Sequence, residues 1–451
     1  MNNLDPVARK SSRRLIGAMT LAAVVYVLSP LAAEFGVSGA SVQAAQDERR
    51  AQKTRRVPAI TEYTFKKLSE ITELIDLKDY AAALEIADYQ LSRRRLNGNE
   101  KGQYQSMRGF IFFSMEDYDR AIEAYKAVIE QGEDVPEGLE VTSLYTLAQL
   151  SFVAEHFQDA LKFMEIWITK ADNPGPAPHI FMGQVYYQMK DYLSAIGQIE
   201  QGIQVAQERG TPVKENWWVL LNFLYFEEEN WDRVLAILEI LVRDFPKRDY
   251  WVRLAGIHGQ LGSDKKQVHT MEAAYIAGFL DRESNLTTLA GLLLQEEVPL
   301  RAAKVMEQGF EDGIVEKTSR NLQSLGQAWQ LAQEVAKAIP AYEDAAKLSD
   351  DGKIYERLAQ VYLDDDQFEK CVAASDNALD KGGLRKEQQA LIVKGMCQFN
   401  DDELSSARKS FVTCRNISRR EEDNSNQRMC QQWITYIDRE STRLRKLAES
   451  L

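Results

Sequence analysis

The stretch "GFIFFSMEDYDRAIEAYKAVIE", Gly109 to Glu130, carries Phe110, Phe112, Phe113, Tyr118 and Tyr125 on what its spacing predicts to be two helices joined by the polar turn "MED". A small residue, Gly109, stands twelve positions before another, Ala121, and Tyr118 stands three before it. Two helices joined by a tight turn approach closely only where small residues face each other, so the spacing predicts an antiparallel pair closed near its turn by an aromatic ring. The rings are too many for one helix face. Something beyond the local core has to cover the rest.

The same spacing recurs along the chain, and a period of 20 to 50 residues decides an architecture. An apolar residue followed three later by a small one appears as Tyr80/Ala83, Tyr118/Ala121, Phe157/Ala160, Tyr192/Ala195, Trp231/Val234, Phe368/Cys371 and Leu404/Ala407. Twelve positions before the small residue come Gly109, Ala148, Gly183, Ala359 and Gly395. Less regular units surround Gly256, Ala290/Ala302 and Gly326/Ala338.

This pattern resembles the tetratricopeptide repeat, whose unit of about 34 residues is a helix pair. The stretch at Gly109 carries the family's glycine, its aromatics Phe112 and Tyr118, its alanine Ala121 and its second-helix ring Tyr125; "NWWVLLNFLYFEEENWDRVLAILEILVRDFP" adds the terminal proline, Pro246. The resemblance implies an all-α fold, a right-handed solenoid of about ten antiparallel helix pairs over residues 61–420. Residues 421–451 then form a terminal capping helix with a charged outer face, as an open array needs for solubility.

In the repeat frame the first helix of each pair lines a concave inner wall. That puts Phe110, Phe113, Tyr145, Phe152, Tyr187, Phe223 and Phe226 on the wall in the first half, and Arg320, Gln323, Gln327, Gln330, Lys353, Glu356 and Gln360 there in the second. An aromatic wall suits an extended peptide or a short helix, because aromatic anchors supply most of the energy at such surfaces. The plainer alternative is that these rings pack between adjacent units.

Residues 1–44 read as an export signal: Arg9, Lys10, Arg13 and Arg14 precede an apolar run from Leu15 to Leu28, and small residues end at Ala44. The run is short of the roughly 20 residues that span a bilayer, so cleavage after about Ala44 and no stable membrane insertion are the expectation, with an uncleaved anchor the alternative. Residues 45–60, with Arg49, Arg50, Lys53, Arg55 and Arg56, read as a mobile basic arm. Cleavage removes four basic and two acidic residues and takes the net charge from −13 to −15, which repels phosphate backbones and argues against nucleic acid.

The four cysteines, Cys371, Cys397, Cys414 and Cys430, fall in the last 81 residues, and an even number in an exported chain suggests disulfides. The repeat frame puts Cys371 and Cys397 at one common end of neighbouring helices, and Cys414 and Cys430 at another, so the expected pairs are Cys371 with Cys397 and Cys414 with Cys430. Free buried thiols are the alternative.

A metal site is not expected, since there is no Cys-x-x-Cys and no histidine after His269. Nor do His156, His179, His258 and His269 sit in a protease or nucleophile pattern, and no glycine-rich phosphate loop is present, so neither an enzyme nor a cofactor is expected. The composition and repeats point to an interaction scaffold for a protein or peptide. The segment "KTRRVPAITEYTFKKLSEITELIDLKDYAAAL", Lys53 to Leu84, is similar to the opening of periplasmic tetratricopeptide proteins that accompany TonB, ExbB and ExbD systems. That resemblance implies a periplasmic accessory of TonB-dependent transport, against a scaffold for cell-wall, polysaccharide or outer-membrane-protein assembly.

Overall fold

The computed structural model describes residues 55–450, and the signal-like segment lies outside them. Every regular element among them is helical. The chain divides after Phe245 into two compact units, where the repeat pattern alone suggests one uninterrupted domain over 61–420. The break falls at Pro246, which follows the last helix of the first unit and cannot continue it.

The first unit holds five pairs: α1 (Glu62–Asp76) with α2 (Tyr80–Leu91), α3 (Gly98–Ser114) with α4 (Tyr118–Ile129), α5 (Glu137–Val153) with α6 (Phe157–Lys170), α7 (Ala177–Gln188) with α8 (Tyr192–Glu208), and α9 (Glu215–Glu227) with α10 (Trp231–Asp244). The second holds α11 (Arg248–Gln260) with α12 (Asp264–Ile276), α13 (Glu283–Gln295) with α14 (Pro299–Glu311), α15 (Ser319–Leu331) with α16 (Val335–Lys347), α17 (Lys353–Asp364) with α18 (Phe368–Lys381), and α19 (Glu387–Asn400) with α20 (Leu404–Arg420). The terminal helix α21 runs Asn424–Ser450 and buries Cys430, Ile434 and Ile437 against its neighbours. Within each unit the second helix of one pair packs on the first helix of the next.

One turn geometry joins all ten pairs. Two residues before each second helix the backbone enters the left-handed region, at Lys78, Glu116, Glu155, Lys190, Glu229, Gly262, Glu297, Gln333, Asp366 and Asp402. The next residue donates its N–H to a carbonyl five positions back, as Asp117 does to Phe112 at 2.9 Å and Gln367 to Tyr362 at 2.9 Å. This closes the first helix with a Schellman motif. In four pairs of the first unit that same residue caps the second helix: Asp79, Asp117, Asp191 and Asn230 each accept from the backbone N–H three residues on. Two residues therefore end one helix and start the next. That is why the polar turns stay so short.

The core of each pair forms where the two small positions meet. Ala121, Ala160, Ala195, Ala302, Ala338, Cys371 and Ala407 are fully buried on the second helices. Ala148, Ala290 and Ala359 are buried opposite them on the first helices. In α11 the position is filled by Ala255, 1% exposed, while Gly256 faces open space. The frame centred on Gly256 is thus one residue out there, because two adjacent small residues leave the sequence pattern ambiguous.

Residues 55–60, the described part of the segment read as a mobile arm, are tied to α3 and α5. Asn99 and Asn97 donate to the carbonyls of Pro58 and Ala59 at 2.8 and 2.9 Å. Arg55 pairs at 2.7 Å with Glu140, which Lys170 reaches at 2.9 Å from the other side. Glu100, 3% exposed, accepts from the Thr61 backbone and from the hydroxyls of Thr61 and Thr64 at 2.8 to 3.0 Å. The sequence shows the charges of this segment, but its anchors are partners up to 85 residues away.

Candidate binding surfaces

In the first unit the predicted aromatic wall is a row of half-buried rings. Phe113, Phe152, Tyr187 and Phe226 each stand five residues before the ring that opens the second helix, and each packs across the turn on it. The centroid distances are 6.4 Å for Phe113–Tyr118, 6.0 Å for Phe152–Phe157, 6.2 Å for Tyr187–Tyr192 and 5.4 Å for Phe226–Trp231. Two contacts also reach the following pair: Phe152 meets Phe181 edge-on at 5.6 Å, and Tyr187 meets Phe223 at 5.8 Å. Tyr145 instead turns toward Trp167 on α6, 5.1 Å away.

Each of these six rings thus packs on another ring while staying only half-buried. Phe110 is the most open of the seven, 37% exposed. Rings held against other rings lose little conformational freedom when a ligand covers the exposed edge, which favours them as anchors. Burial also raises the Tyr187 hydroxyl above the usual phenol range, so it stays protonated and able to donate. Trp167 and Phe181, which complete the seam, escaped the sequence reading because they occupy no repeat-defining position.

The second unit has a different surface. Gln323 and Gln327 on α15 and Lys353, Glu356 and Gln360 on α17 line one cavity of about 720 Å³, closed further along by Gln389 on α19 and Asn426 on α21. Gln330 is engaged elsewhere: its amide oxygen accepts from the Tyr342 hydroxyl at 3.0 Å. Lys353 is ion-paired with Asp351 at 2.6 Å. Glu356 has a carboxylate oxygen sealed from solvent with no hydrogen-bond partner, and burial raises its carboxyl above the ordinary glutamate range. Of the seven polar positions that the repeat frame puts on the second-half wall, five line this cavity and Arg320 and Gln330 do not; no sequence signal marks the unpartnered Glu356 oxygen.

The cysteines lie on four successive helices. Cys371 and Cys397 join α18 to α19 with Cα atoms 6.2 Å apart, and Cys414 and Cys430 join α20 to α21 with Cα atoms 6.3 Å apart. Both spacings are in the range that disulfides span. Among the described residues no group of histidine, cysteine or acidic side chains could hold a metal ion. No helix among them is long and apolar enough to cross a membrane.

The chain is thus a helical-repeat protein, and residues 103–131, which contain α4 and most of α3, match the tetratricopeptide repeat family model. No curated protein matches the chain. Among solved structures it is similar to a tetratricopeptide repeat protein from Parabacteroides merdae, at 14% identity and a TM-score of 0.34, covering 67% of this chain and 99% of that one. It is also similar to the C-terminal part of a repeat-containing protein from Cytophaga hutchinsonii, at 15% identity and a TM-score of 0.34, covering 55% and 99%. A third likeness is to pilF of Pseudomonas aeruginosa, at 14% identity and a TM-score of 0.31, covering 50% and 96%.

Proposed function

We propose that this protein is a non-catalytic, exported scaffold that receives a peptide or protein segment along the first helices of its first unit, as a periplasmic accessory of TonB-dependent transport. The observation that carries the binding reading is the row of half-buried rings from Phe113 to Phe226, each packed on another ring, with Phe110 more open beside it. Export is supported by the charged-then-apolar opening of the chain and by two cysteine pairs at bonding geometry, which persist in oxidising compartments. The TonB assignment rests on the resemblance at Lys53–Leu84.

A photoreactive residue replacing Phe110, crosslinked in intact cells, tests this. Leu193, 71% exposed on the second helix α8, is the control position. Capture of a TonB-type transducer or receptor at Phe110 and not at Leu193 is the expected result. Capture of cell-wall or outer-membrane assembly factors would move the protein to the envelope-assembly reading, and equal labelling at both positions would remove the aromatic surface as a docking site.

A further inference from the structure

We propose that the terminal helices of the second unit, α20 with α21, form a peripheral docking surface for an anionic lipid bilayer. The surface shares no residue with the aromatic row and does not depend on that row binding a partner.

The charge of these helices runs against that of the chain. Residues 404–450 carry ten basic and six acidic residues in a protein whose net charge is −13. Helix α20 alone has five basic residues, Arg408, Lys409, Arg415, Arg419 and Arg420, and no acidic one. Arg408 is paired with Asp438 at 2.7 Å and Arg443 with Glu440 at 2.6 Å. Lys409, Arg419, Arg420, Arg428, Arg439 and Lys446 are exposed. The last helix of an open array needs a polar outer face to stay soluble, but charges of either sign meet that need. An excess of one sign selects what the face can meet.

Helix α21 also outruns its neighbour. Arg408 lies near the start of α20 and meets Asp438, and the two helices run antiparallel, so α20 reaches its first residue near Thr442. The remainder of α21, about 12 Å at the rise of an α-helix, lies past it. Every residue from Ser441 to Leu447 is exposed.

This projecting end is amphipathic. Tyr436, Leu444 and Leu447 fall on one side of the helix and are 53%, 41% and 50% exposed. Arg439, Arg443 and Lys446 share the adjoining side, each within one turn of the next. Leucines and a tyrosine bordered by cations are the composition of a helix that lies in a membrane interface: the apolar side chains enter the headgroup boundary and the cations meet lipid phosphates. The contact is peripheral, since no helix among the described residues is long and apolar enough to cross a bilayer.

Other occupants fit less well. The same end of a second copy would bring like charges together. A folded acidic protein would gain little buried area from one helix standing past its neighbour, whereas a bilayer needs no concave counterpart.

The test is co-sedimentation of the purified oxidised chain with vesicles of phosphatidylglycerol and phosphatidylcholine, and with vesicles of phosphatidylcholine alone. It is repeated on Arg439→Gln/Arg443→Gln/Lys446→Gln and on Leu444→Gln/Leu447→Gln. The control is Lys66→Gln/Lys265→Gln/Lys266→Gln, which removes the same charge from exposed positions elsewhere, and each variant is checked for an unchanged melting transition. The parent should bind the anionic vesicles and not the neutral ones. Binding should weaken about tenfold or more in the α21 charge variant and about fivefold in the leucine variant, and should hold in the control. Equal binding to both kinds of vesicle, no binding to either, or undiminished binding by the α21 charge variant would overturn the proposal. Without vesicle binding, capture of polyglutamate that the charge variant loses would assign the surface to an acidic protein, and self-association that the leucine variant loses would assign it to a second copy.

Discussion

A β-carbon placed on Gly109 would stand 2.6 Å from Cε2 of Tyr125, sixteen residues later on the partner helix. The same relationship recurs between Gly183 and Ile199 at 2.5 Å, Gly326 and Tyr342 at 3.0 Å, and Gly395 and Phe411 at 2.8 Å. One contact thus sets helix spacing in pairs of both units. The small residue on the first helix exists to seat a large one on the second.

Replacing such a glycine should therefore destabilise, against the helix propensity that favours alanine. Gly395→Ala forces its methyl into Phe411, which is fully buried and has nowhere to move. Overpacking of this kind costs about 1–3 kcal/mol, more than the roughly 1 kcal/mol that alanine gains over glycine inside a helix. Gly256→Ala and Gly291→Ala meet nothing within 4 Å and should stabilise by up to about 1 kcal/mol. Urea titration of the three variants reads both signs. A stabilised Gly395→Ala would contradict the packing described.

The turns make a second prediction. Glu116 and Glu155 hold φ near 60°, a conformation that costs a residue with a β-carbon roughly 1 kcal/mol and glycine almost nothing. Glu116→Gly should therefore raise the denaturation midpoint, where glycine substitutions elsewhere on the surface lower it. The unfolded chain's added freedom takes back about 0.4–1 kcal/mol, so the net gain is at most about 0.6 kcal/mol. A lowered midpoint would mean that the Glu116 side chain contributes something the turn geometry does not reveal.

Most of the fold is legible in the sequence because the contacts that define it lie within 40 residues of each other. The twelve-residue spacing of Gly109 and Ala121 marks two helices meeting at their small faces, and that meeting needs no distant partner. The cysteine positions follow from the same frame: Cys371 and Cys397 sit 26 residues apart on consecutive helices. Legibility fails where a residue's environment depends on several helices at once. The docked segment at Arg55 needs Glu140, 85 residues away. The aromatic row is the intermediate case. Its positions come from the frame, but whether Phe152 faces ligand or Phe181 is decided by the next pair.

The anchor of the amino-terminal segment should depend on pH. Burial raises the Glu100 carboxyl, but hydrogen bonds from Thr61, Thr64 and Asn97 outweigh it and leave the group below the ordinary glutamate range. A folded pKa depressed in this way contributes stability above the unfolded value, near ~4.3, and loses it as the pH falls through the lower folded value. Residues 55–61 should stay docked at neutral pH and loosen in acid. Glu100→Gln removes the charge-assisted bonds and should cost on the order of 2 kcal/mol at pH 7, with the difference from the parent shrinking toward pH 3. Hydrogen-exchange protection at the Thr61 amide, which donates to Glu100 at 3.0 Å, measures the effect directly. Equal protection in parent and variant at pH 7 would show that the asparagine contacts and the Arg55–Glu140 pair hold the segment without Glu100.

The two disulfides link the last four helices of the second unit. They close loops of 26 and 16 residues, and cross-links of that span stabilise by about 3 kcal/mol through the unfolded chain. Cys414→Ala with Cys430→Ala should release α21 first, because the 16-residue loop ties that helix to α20. Exchange should rise around Ile434 and Ile437 while the first unit is unaffected. Cys371→Ala with Cys397→Ala should lower the midpoint of the second unit without freeing α21 selectively. Non-reducing peptide mass spectrometry fixes the pairing itself: a Cys397–Cys414 peptide would place α19 and α20 in a register that Gly395 against Phe411 does not permit.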